Sequence, residues 1–351
     1  MLKSLWAMLV LAFVVAPAWA VEVTSLYTAQ VPLDPEAEDG RDRAYETALA
    51  EVLLRVSGSE LSADAEMVEL LFPNPASYVV RFRPGADETL WVSFDGQAIE
   101  DVLRRSGQTV WGGDRPLTLI WLAVDWGQGK REIISADDPQ RRVDAARSID
   151  RNRLLRQRIL DIADRRGLPV VFPLLDTVDL QNVSFSDIWG GFDAALIAAS
   201  QRYAANSILV GRIRPVSSQR NRWTYYFGDE KRSWNGEPEV VLNLVGDLLA
   251  DEFAISGNAA PQTVDLSIAG IDSVEAFASV QKLLAAVTLI ENFSIAEVEG
   301  DRIRYRVEAL GGTDRLSRAL RFNGLIEQNG FEGDRFDRNM LDRTLEFFYS
   351  P

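Results

Sequence analysis

The chain has 351 residues, of which 47% are hydrophobic and 25% charged, and it contains neither cysteine nor histidine. These fractions are typical of a folded globular protein, and the length allows roughly two or three domains. The missing residue types exclude disulfides, thiolate nucleophiles, His- or Cys-ligated metal sites and Ser-His-Asp catalysis. The formal net charge of -15 argues against general nucleic-acid binding, whose affinity comes mainly from cations that contact phosphates.

The first twenty residues have the three parts of a secretory signal peptide. Lys3 supplies the positive charge, residues 5–15 are apolar, and Ala18-Trp19-Ala20 has the small-residue pattern of a cleavage site. The apolar stretch is too short to span a bilayer, so we expect cleavage after Ala20. No cysteine follows that position, so we expect a periplasmic protein that is not a lipoprotein and has no transmembrane segment.

Residues 21–113 are predicted to form a small α+β module. Apolar residues recur at helical spacing over residues 41–56, and Gly58 follows as a helix cap. Alternating or β-branched sequences predict strands, and shorter amphipathic stretches predict two further helices. The strands are expected at residues 21–31, 78–82 and 90–94, and the helices at residues 66–71 and 97–105.

Residues 114–257 are predicted to form an α/β module with a mostly parallel sheet. Three nearly continuous apolar segments, at residues 117–124, 169–175 and 208–210, alternate with helical patterns at residues 149–165 and 192–204. Such continuous apolar segments are typical of strands that are covered on both faces, as in βαβ units. A hairpin over residues 222–234 and a helix over residues 240–253 are expected to complete the module.

Residues 263–351 are predicted to form a ferredoxin-like module after a short linker. The patterns follow the order β-α-β-β-α-β. Strands are expected at residues 263–268, 293–298, 303–307 and 345–349, and helices at residues 274–286 and 316–322. Many unrelated functions use this fold, so it predicts no activity.

Three aspartates, Asp125, Asp176 and Asp179, follow apolar strands of the middle module. Ligands usually bind at the carboxyl ends of strands in such sheets, so these side chains are candidates for binding Mg²⁺ or a polar ligand. The alternative interpretation, which we favour, is that they cap helices and turns, a common role of aspartate in loops.

Two further groups of residues are candidates for binding. Residues 141–166 hold nine arginines and four aspartates, so Arg151, Arg153 and Arg156 could form a docking face for an acidic partner or anionic head groups. Trp223 and Tyr225 alternate on one face of the predicted hairpin and could stack on a ligand. The alternatives, which we favour, are a solvated helix face and aromatic rings that cover the sheet.

Several short segments together resemble a proteobacterial family of exported proteins, the domain of unknown function DUF2066. The segments are Arg43-Ala44, Ala48-Leu49, Val52-Leu53, Arg55-Val56-Ser57-Gly58, Arg166 to Asp176, Asp187-Ile188-Trp189-Gly190, Ala199-Ser200, Arg202-Tyr203 and Gly211-Arg212. The resemblance covers residues 21–310 and implies a location in the envelope, with no established activity, catalytic residue or cofactor. In element order, the middle module is also similar to the N-terminal domain of the Tol-system periplasmic protein and to outer-membrane assembly accessory proteins.

These observations predict an exported, non-catalytic protein that acts as an interaction or assembly module in the periplasm. We expect a protein partner in the envelope, with peripheral membrane contact left open, and we expect no cofactor and no metal. The alternative is a carboxylate- or metal-dependent hydrolase, or a ligand-binding protein, that uses the strand-end aspartates.

Overall fold

In the computed structural model, the chain forms a mixed α/β structure with several separate sheets. The structure describes residues 21–23, 25–58, 65–136, 150–215, 220–228, 230–257, 259–287, 289–328 and 344–350. The predicted signal peptide and the arginines of residues 141–149 lie outside the described residues. Among the described residues, no helix is long and apolar enough to cross a membrane.

The N-terminal module is a three-stranded antiparallel sheet packed against one long helix, α1. The sheet consists of β2 (Thr28–Pro32), β3 (Val79–Pro84) and β4 (Thr89–Phe94), and the helices are α1 (Gly40–Ser57), α2 (Ala65–Leu71) and α3 (Gly96–Arg105). Two short strands, β1 (Val21–Glu22) and β5 (Thr109–Val110), lie outside this sheet, and β6 (Asp114–Arg115) begins the middle module. The sheet order is β2-β4-β3. The predicted helix cap is confirmed, because Gly58 has a left-handed φ of 67° and its N–H bonds back to the Leu54 carbonyl.

The middle module has a mixed sheet that is parallel only at its centre. Its elements are β7 (Thr118–Gly127), β8 (Lys130–Ile133), α4 (Arg151–Arg165), β9 (Val170–Val171), α5 (Thr177–Asn182), α6 (Phe185–Gly190), α7 (Asp193–Ser200), β10 (Ser207–Ile213), β11 (Arg222–Phe227), β12 (Glu230–Asn235), α8 (Pro238–Phe253) and β13 (Ile255–Ser256). Strands β9 and β10 pair with β7 in parallel, whereas β8, β11 and β12 add antiparallel edges. The prediction of a mostly parallel sheet fails at these edge strands. Each of them follows its neighbour in the chain directly, and strands joined in this way run antiparallel.

Helices cover both faces of β7, as its continuous apolar sequence predicts. Ile120 and Leu122 face the core formed with α4 and α8, whereas Leu119 and Trp121 face the core formed with α6 and α7. Successive side chains of a strand point to opposite faces, so a strand between two helical layers needs apolar residues at every position. The unpredicted helices α5 and α6 belong to the second of these layers.

The C-terminal module follows the predicted element order but departs from the ferredoxin-like topology at its end. Its elements are β14 (Gln262–Ala269), α9 (Val274–Ala286), β15 (Ile290–Glu299), β16 (Arg302–Ala309), α10 (Thr313–Phe322), β17 (Ile326–Glu327) and β18 (Leu345–Phe348). The sheet order is β15-β16-β14-β18-β17. Two interleaved β-α-β units would make all neighbouring strands antiparallel, yet β18 runs parallel to β14 because β17 intervenes after α10.

A buried arginine joins the N-terminal and middle modules. Arg115 has no exposed surface, and its guanidinium donates to the backbone carbonyls of Arg55, Trp111, Gly112, Arg166 and Gly167 at 2.6–3.1 Å. These carbonyls lie mainly at the C-terminal ends of α1 and α4, where helices carry partial negative charge. Short strand pairs, β1 with β6 and β5 with β13, hold the same junction.

Candidate functional site

The predicted site residues Asp176 and Asp179 lie together where β9 leads into α5. Leu175 has a left-handed φ of 51°, which turns the chain into the helix. Asp176 is the N-cap of α5, and its carboxylate accepts the backbone N–H of Asp179 at 3.0 Å. This capping matches the alternative that the sequence favours, since short acidic side chains satisfy free N–H groups at helix starts.

Arg202 binds both carboxylates from the turn that follows α7. Its Nη1 and Nη2 atoms lie 2.7 Å from the two oxygens of Asp176, and Nη1 lies 2.9 Å from Asp179. A bidentate pair of this kind is the strongest geometry available to arginine and carboxylate. The Arg202 guanidinium holds the pKa of the Asp176 carboxyl well below its usual value.

Tyr203 is the fourth side chain of a hydrogen-bonded network with Asp176, Asp179 and Arg202, and it connects this network to the core. Its hydroxyl donates to the carboxylate of Asp179 and accepts the backbone N–H of Leu174 at 2.8 Å. The backbone N–H of Leu175 also donates to the carboxylate of Asp179, at 2.9 Å. Burial, followed by the bond to Asp179, raises the pKa of Tyr203 to about 12. Its ring packs edge-on against Trp121 of β7.

The arrangement leaves little chemistry open to these two carboxylates. Asp179 is 1% exposed, and both of its oxygens accept hydrogen bonds. The carboxylate of Asp176 is a weak base, because the Arg202 guanidinium stabilises its charged form and lowers its pKa. Among the described residues, no three acidic side chains converge in a way that could hold a metal ion.

Asp125 belongs to a different contact set, in the turn between β7 and β8. Its carboxylate accepts the backbone N–H of Gly127 at 3.1 Å and lies 3.8 Å from the Nε atom of Arg131. A β-bulge interrupts the strand pairing at this point. Asp125 therefore supports a hairpin turn, and none of its hydrogen bonds or ion pairs reaches the network around Asp179.

The network displays apolar side chains to solvent. Leu174 is 59% exposed, although its backbone N–H is held by Tyr203. Five large exposed apolar side chains fall within residues 174–197, and we refer to these residues as the strand-end surface: Leu174, Val178, Leu180, Phe192 and Ile197. Their concentration within one segment is unusual, because scattered single apolar residues are the norm on protein surfaces.

The aromatic candidates Trp223 and Tyr225 lie in the core. They are 1% and 3% exposed, and they pack between the sheet and the layer formed by α4 and α8. The indole N–H of Trp223 donates to the Gly236 carbonyl at 3.0 Å. These rings therefore cover the sheet, as the favoured alternative holds, and neither ring offers an open stacking face at the molecular surface.

The three arginine candidates do not share one environment. Arg151 and Arg153 are exposed at the start of α4, and the guanidinium of Arg151 lies 5.9 Å from the ring centre of Trp126. Arg156 is half-buried and donates to the Ser135 carbonyl at 3.0 Å. The helix therefore presents Arg151 and Arg153 to solvent, whereas Arg156 binds the chain after β8.

Sequence reasoning missed the parts of the site that act through tertiary contacts. Arg202 and Tyr203 were noted only within the DUF2066 resemblance, and no local pattern indicates that they meet residues 176 and 179. Leu174 belongs to the apolar segment of residues 169–175, which predicts a strand covered on both faces, yet its side chain is 59% exposed. Two local signals could have indicated that the strand ends at Val171. They are Pro173, shortly after β9, and Asp176, which can cap a following helix.

Comparison with known proteins adds one partial match. A domain of unknown function, DUF8605, matches residues 20–112, which is roughly a quarter of the chain. The match covers the N-terminal module and ends before the middle module begins. No curated protein and no solved structure matches the chain significantly. The comparison thus supports a domain of unknown function and identifies neither DUF2066 nor an activity.

Proposed function

We propose that this protein is an exported, non-catalytic interaction module of the bacterial envelope that docks a protein partner on the strand-end surface. The supporting observation is Leu174, a 59% exposed leucine whose backbone is held in place from within by a buried carboxylate network. Burying such a side chain in a partner releases about 1.5–3 kcal/mol. Several such side chains together reach the energy of a typical interface centre.

Preorganisation favours this surface over other exposed apolar residues. Docking a flexible loop costs free energy, because its backbone and side chains lose conformational freedom. The backbone N–H groups of Leu174 and Leu175 already bind Tyr203 and Asp179, so most of that loss occurs on folding. In this proposal, the network residues hold an apolar loop in a conformation that is ready for contact.

The charges beside the surface favour a protein over a lipid bilayer. Arg202 and Asp176 are 33% and 41% exposed, and they neutralise each other at the edge of the apolar residues. Protein interfaces commonly combine an apolar centre with a polar rim of this kind. Binding to an anionic membrane needs unpaired basic side chains, and Arg202 is occupied by two aspartates.

The location in the envelope rests on sequence. Residues 1–20 have the charge, apolar stretch and small-residue cleavage pattern of an export signal. The DUF2066 resemblance implies the same compartment. A periplasmic fraction containing a mature chain that starts at Val21 is the expected result, and a chain that retains residues 1–20 in the cytoplasmic fraction would contradict the proposal.

Site-specific photo-crosslinking tests the docking surface. We would place p-benzoylphenylalanine at position 174 or 178 in the full chain, expressed in the source bacterium. The matched control is position 154, because Leu154 is also 59% exposed but lies on α4. We expect an adduct of one defined mass from positions 174 and 178, and none from position 154.

Two results would overturn the proposal. One is the absence of an adduct at both strand-end positions under conditions in which the protein is exported and folded. The other is an adduct of the same mass at position 154, which would assign the contact to the arginine-bearing helix. The variant Leu174→Ser should reduce the adduct at position 178, because it removes apolar contact area without disturbing the backbone N–H that binds Tyr203.

A further inference from the structure

A row of arginines crosses the edge of the middle sheet at which the parallel strands β7 and β10 end. Arg222 of β11 lies directly opposite Arg212 of β10 in the strand pairing, so both side chains are on one face of the sheet. The Nε atom of Arg212 donates to the carbonyl of Ile188 at 2.7 Å, which shows that this face is the one covered by α6. Together with one arginine of β8 and one that follows β10, they form what we term the arginine row: Arg131, Arg212, Arg214 and Arg222.

Two aromatic rings of α6 position two members of the row. Phe185 and Trp189 stack with their ring centres 5.1 Å apart and an angle of 20° between their planes. The guanidinium of Arg131 lies 5.9 Å from the ring centre of Phe185, and that of Arg214 lies 4.9 Å from the ring centre of Trp189. Contact with a ring face orients a guanidinium while its N–H groups stay able to bind an anion. These arginines therefore lose less conformational freedom when a ligand binds.

The acidic side chains around α6 already have partners. Asp125 lies 3.8 Å from Arg131. Asp187 belongs to the capping box at the start of α6, and Asp193 binds Lys231 of β12. Among the described residues, the other three arginines of the row form no ion pair with an acid. The row therefore presents positive charge that the described part of the chain does not neutralise.

The pairing of Arg212 with Arg222 is unfavourable for the fold itself. Like charges that lie directly opposite each other in a sheet are destabilising. The chain has 52 acidic residues and only 37 lysines and arginines, so its composition alone would favour an acid at one of these two positions. Departures from local stability of this kind are expected where a residue serves binding. An anion from outside the chain would relieve the repulsion.

The position of the row in the fold also favours binding. Strand β7 leads through α4 to β9 on one side of it, and β9 leads through α5, α6 and α7 to β10 on the other side. In α/β sheets, ligands usually bind at the carboxyl ends of the strands where the connections change side in this way. Arg212 and Arg214 lie at that end of β10.

We propose that the arginine row binds an extended, acidic segment of a protein through salt bridges to its carboxylates. Neighbouring strands lie about 4.8 Å apart, so the row crosses from β11 to β8 over roughly 15 Å. An extended chain advances about 3.3 Å per residue, so a segment of about five residues covers the row. A guanidinium and a carboxylate can form two parallel hydrogen bonds, which suits arginine to such a partner better than lysine.

An acidic protein segment fits the row better than an anionic membrane does. The formal net charge of -15 opposes the approach of the whole chain to an anionic bilayer, whereas a short segment meets mainly the local charge of the row. Arginine and tryptophan are also enriched at the energetic centres of protein interfaces. The proposal goes beyond docking at the strand-end surface and does not depend on it, because the two surfaces share no residue.

Fluorescence anisotropy with a labelled decapeptide tests the row. The probe alternates glutamate with serine and carries a rhodamine label, and a matched probe has glutamine in place of glutamate. We expect the full mature chain to bind the glutamate probe saturably, with one-to-one stoichiometry, in a buffer of low ionic strength. The affinity should fall as sodium chloride is added, because salt screens exposed charges. The glutamine probe should not bind.

Arginine variants locate the binding on the sheet. Arg222→Gln and Arg214→Gln should each weaken binding of the glutamate probe about threefold, and the double variant about tenfold, because each change removes one contact with a carboxylate. The matched control is Arg153→Gln, which removes the same charge from an exposed position on α4, on the opposite face of the sheet. It should leave the affinity unchanged. Arg222→Gln should also leave the melting temperature equal or raised, because it relieves the repulsion from Arg212.

Several results would overturn the proposal. They are the absence of saturable binding of the glutamate probe, equal binding of the two probes, and an equal loss of affinity in Arg222→Gln and Arg153→Gln. A lower melting temperature of Arg222→Gln would show that this arginine serves the fold and not a partner. Binding to phosphatidylglycerol vesicles that Arg222→Gln abolishes, without binding of the glutamate probe, would assign the row to a membrane. If Arg214→Gln does not fold, Arg222→Gln still decides, because its side chain is exposed.

Discussion

Two regions of this protein bury charge, and they neutralise it in different ways. At the strand end, the carboxylate of Asp179 meets oppositely charged and phenolic side chains, Arg202 and Tyr203. At the junction of the first two modules, the guanidinium of Arg115 binds five backbone carbonyls and, among the described residues, forms no ion pair with an acid. Burial lowers the pKa of Arg115 to about 9, which still leaves it cationic at neutral pH.

The difference shows which of the two regions can tolerate substitution of its partner residues. A side-chain network can be rearranged by substitution, since each partner is a separate residue. A guanidinium that satisfies the ends of two helices fixes the relative position of whole elements, because the carbonyls belong to the backbone. We infer that the Arg115 junction maintains the arrangement of the modules, whereas the strand-end network shapes one surface loop.

The largest expected effect is at the junction. Arg115→Met should lower the free energy of unfolding by about 4 kcal/mol, because it leaves several buried carbonyls without donors. Arg115→Lys should recover only part of this loss, since an ammonium cannot reach five acceptors in a plane. Urea unfolding measures both values, with the exposed Arg104→Met as control. A loss in Arg115→Met no larger than that of the control would refute the assigned role.

The strand-end network should be less sensitive, and unequally so between its two acids. Asp179→Asn should cost about 3 kcal/mol, because it breaks a buried ion pair and leaves part of the charge of Arg202 uncompensated. Asp176→Asn should cost distinctly less, since that side chain is 41% exposed to solvent. Urea unfolding of the two variants under one buffer condition checks the order, and a reversed order would contradict the proposed network.

Alkaline pH provides a test through Tyr225, which is buried, and Tyr226, which is half-buried. Burial raises the pKa of Tyr225 and Tyr226 above the value of 10 that applies in the unfolded chain. A raised pKa means that the stabilisation is complete below pH 10 and is lost as the pH rises toward the folded-state value. For each such group the free energy of unfolding should fall by about 1.4 kcal/mol per pH unit above 10.

This dependence can be followed by phenolate absorbance during unfolding. Titration of the native protein should show these tyrosines ionising only together with loss of the near-ultraviolet circular dichroism signal. Ionisation of all eight tyrosines near pH 10 without unfolding would show that Tyr225 and Tyr226 are not buried as described. In Tyr225→Phe, the free energy of unfolding should fall less steeply with pH above 10 than in the wild type.

The smallest effect is expected at Asp125. Asp125→Asn keeps an oxygen that can accept the N–H of Gly127 and loses only a 3.8 Å contact with Arg131, whose side chain is 62% exposed. Exposed pairs of this type contribute little, so the loss of stability should be below about 0.5 kcal/mol. A large loss of stability would show that Asp125, like Asp179, participates in a buried network.

Much of the fold could be predicted from local patterns. The helical spacing of residues 41–56 and the continuous apolar sequence of residues 117–124 correctly indicated α1 and a strand covered on both faces. Such patterns are readable because a helix or strand repeats within a few residues. The short helices α5 and α6 were missed, since six residues provide less than two turns of periodicity.

The candidate site was predictable only in part. The position of Asp176 and Asp179 after an apolar strand correctly placed them at a strand end, yet nothing indicated that Arg202 would bind both. The aromatic pair on β11 could not be distinguished as core or surface from alternation alone, because a sheet face may be open or covered by a helix. That choice depended on α8, which lies beyond the hairpin in the chain.

By itself, the sequence determined the chemistry that this protein lacks, the export signal pattern, the order of helices and strands, and the apolar character of the central strand. Only the tertiary structure decided which acids are neutralised, which leucine stays exposed, and which aromatic rings are buried. The reason is physical: periodicity is a property of neighbouring residues, whereas the pairing of a charge is settled by groups that folding brings together from distant positions.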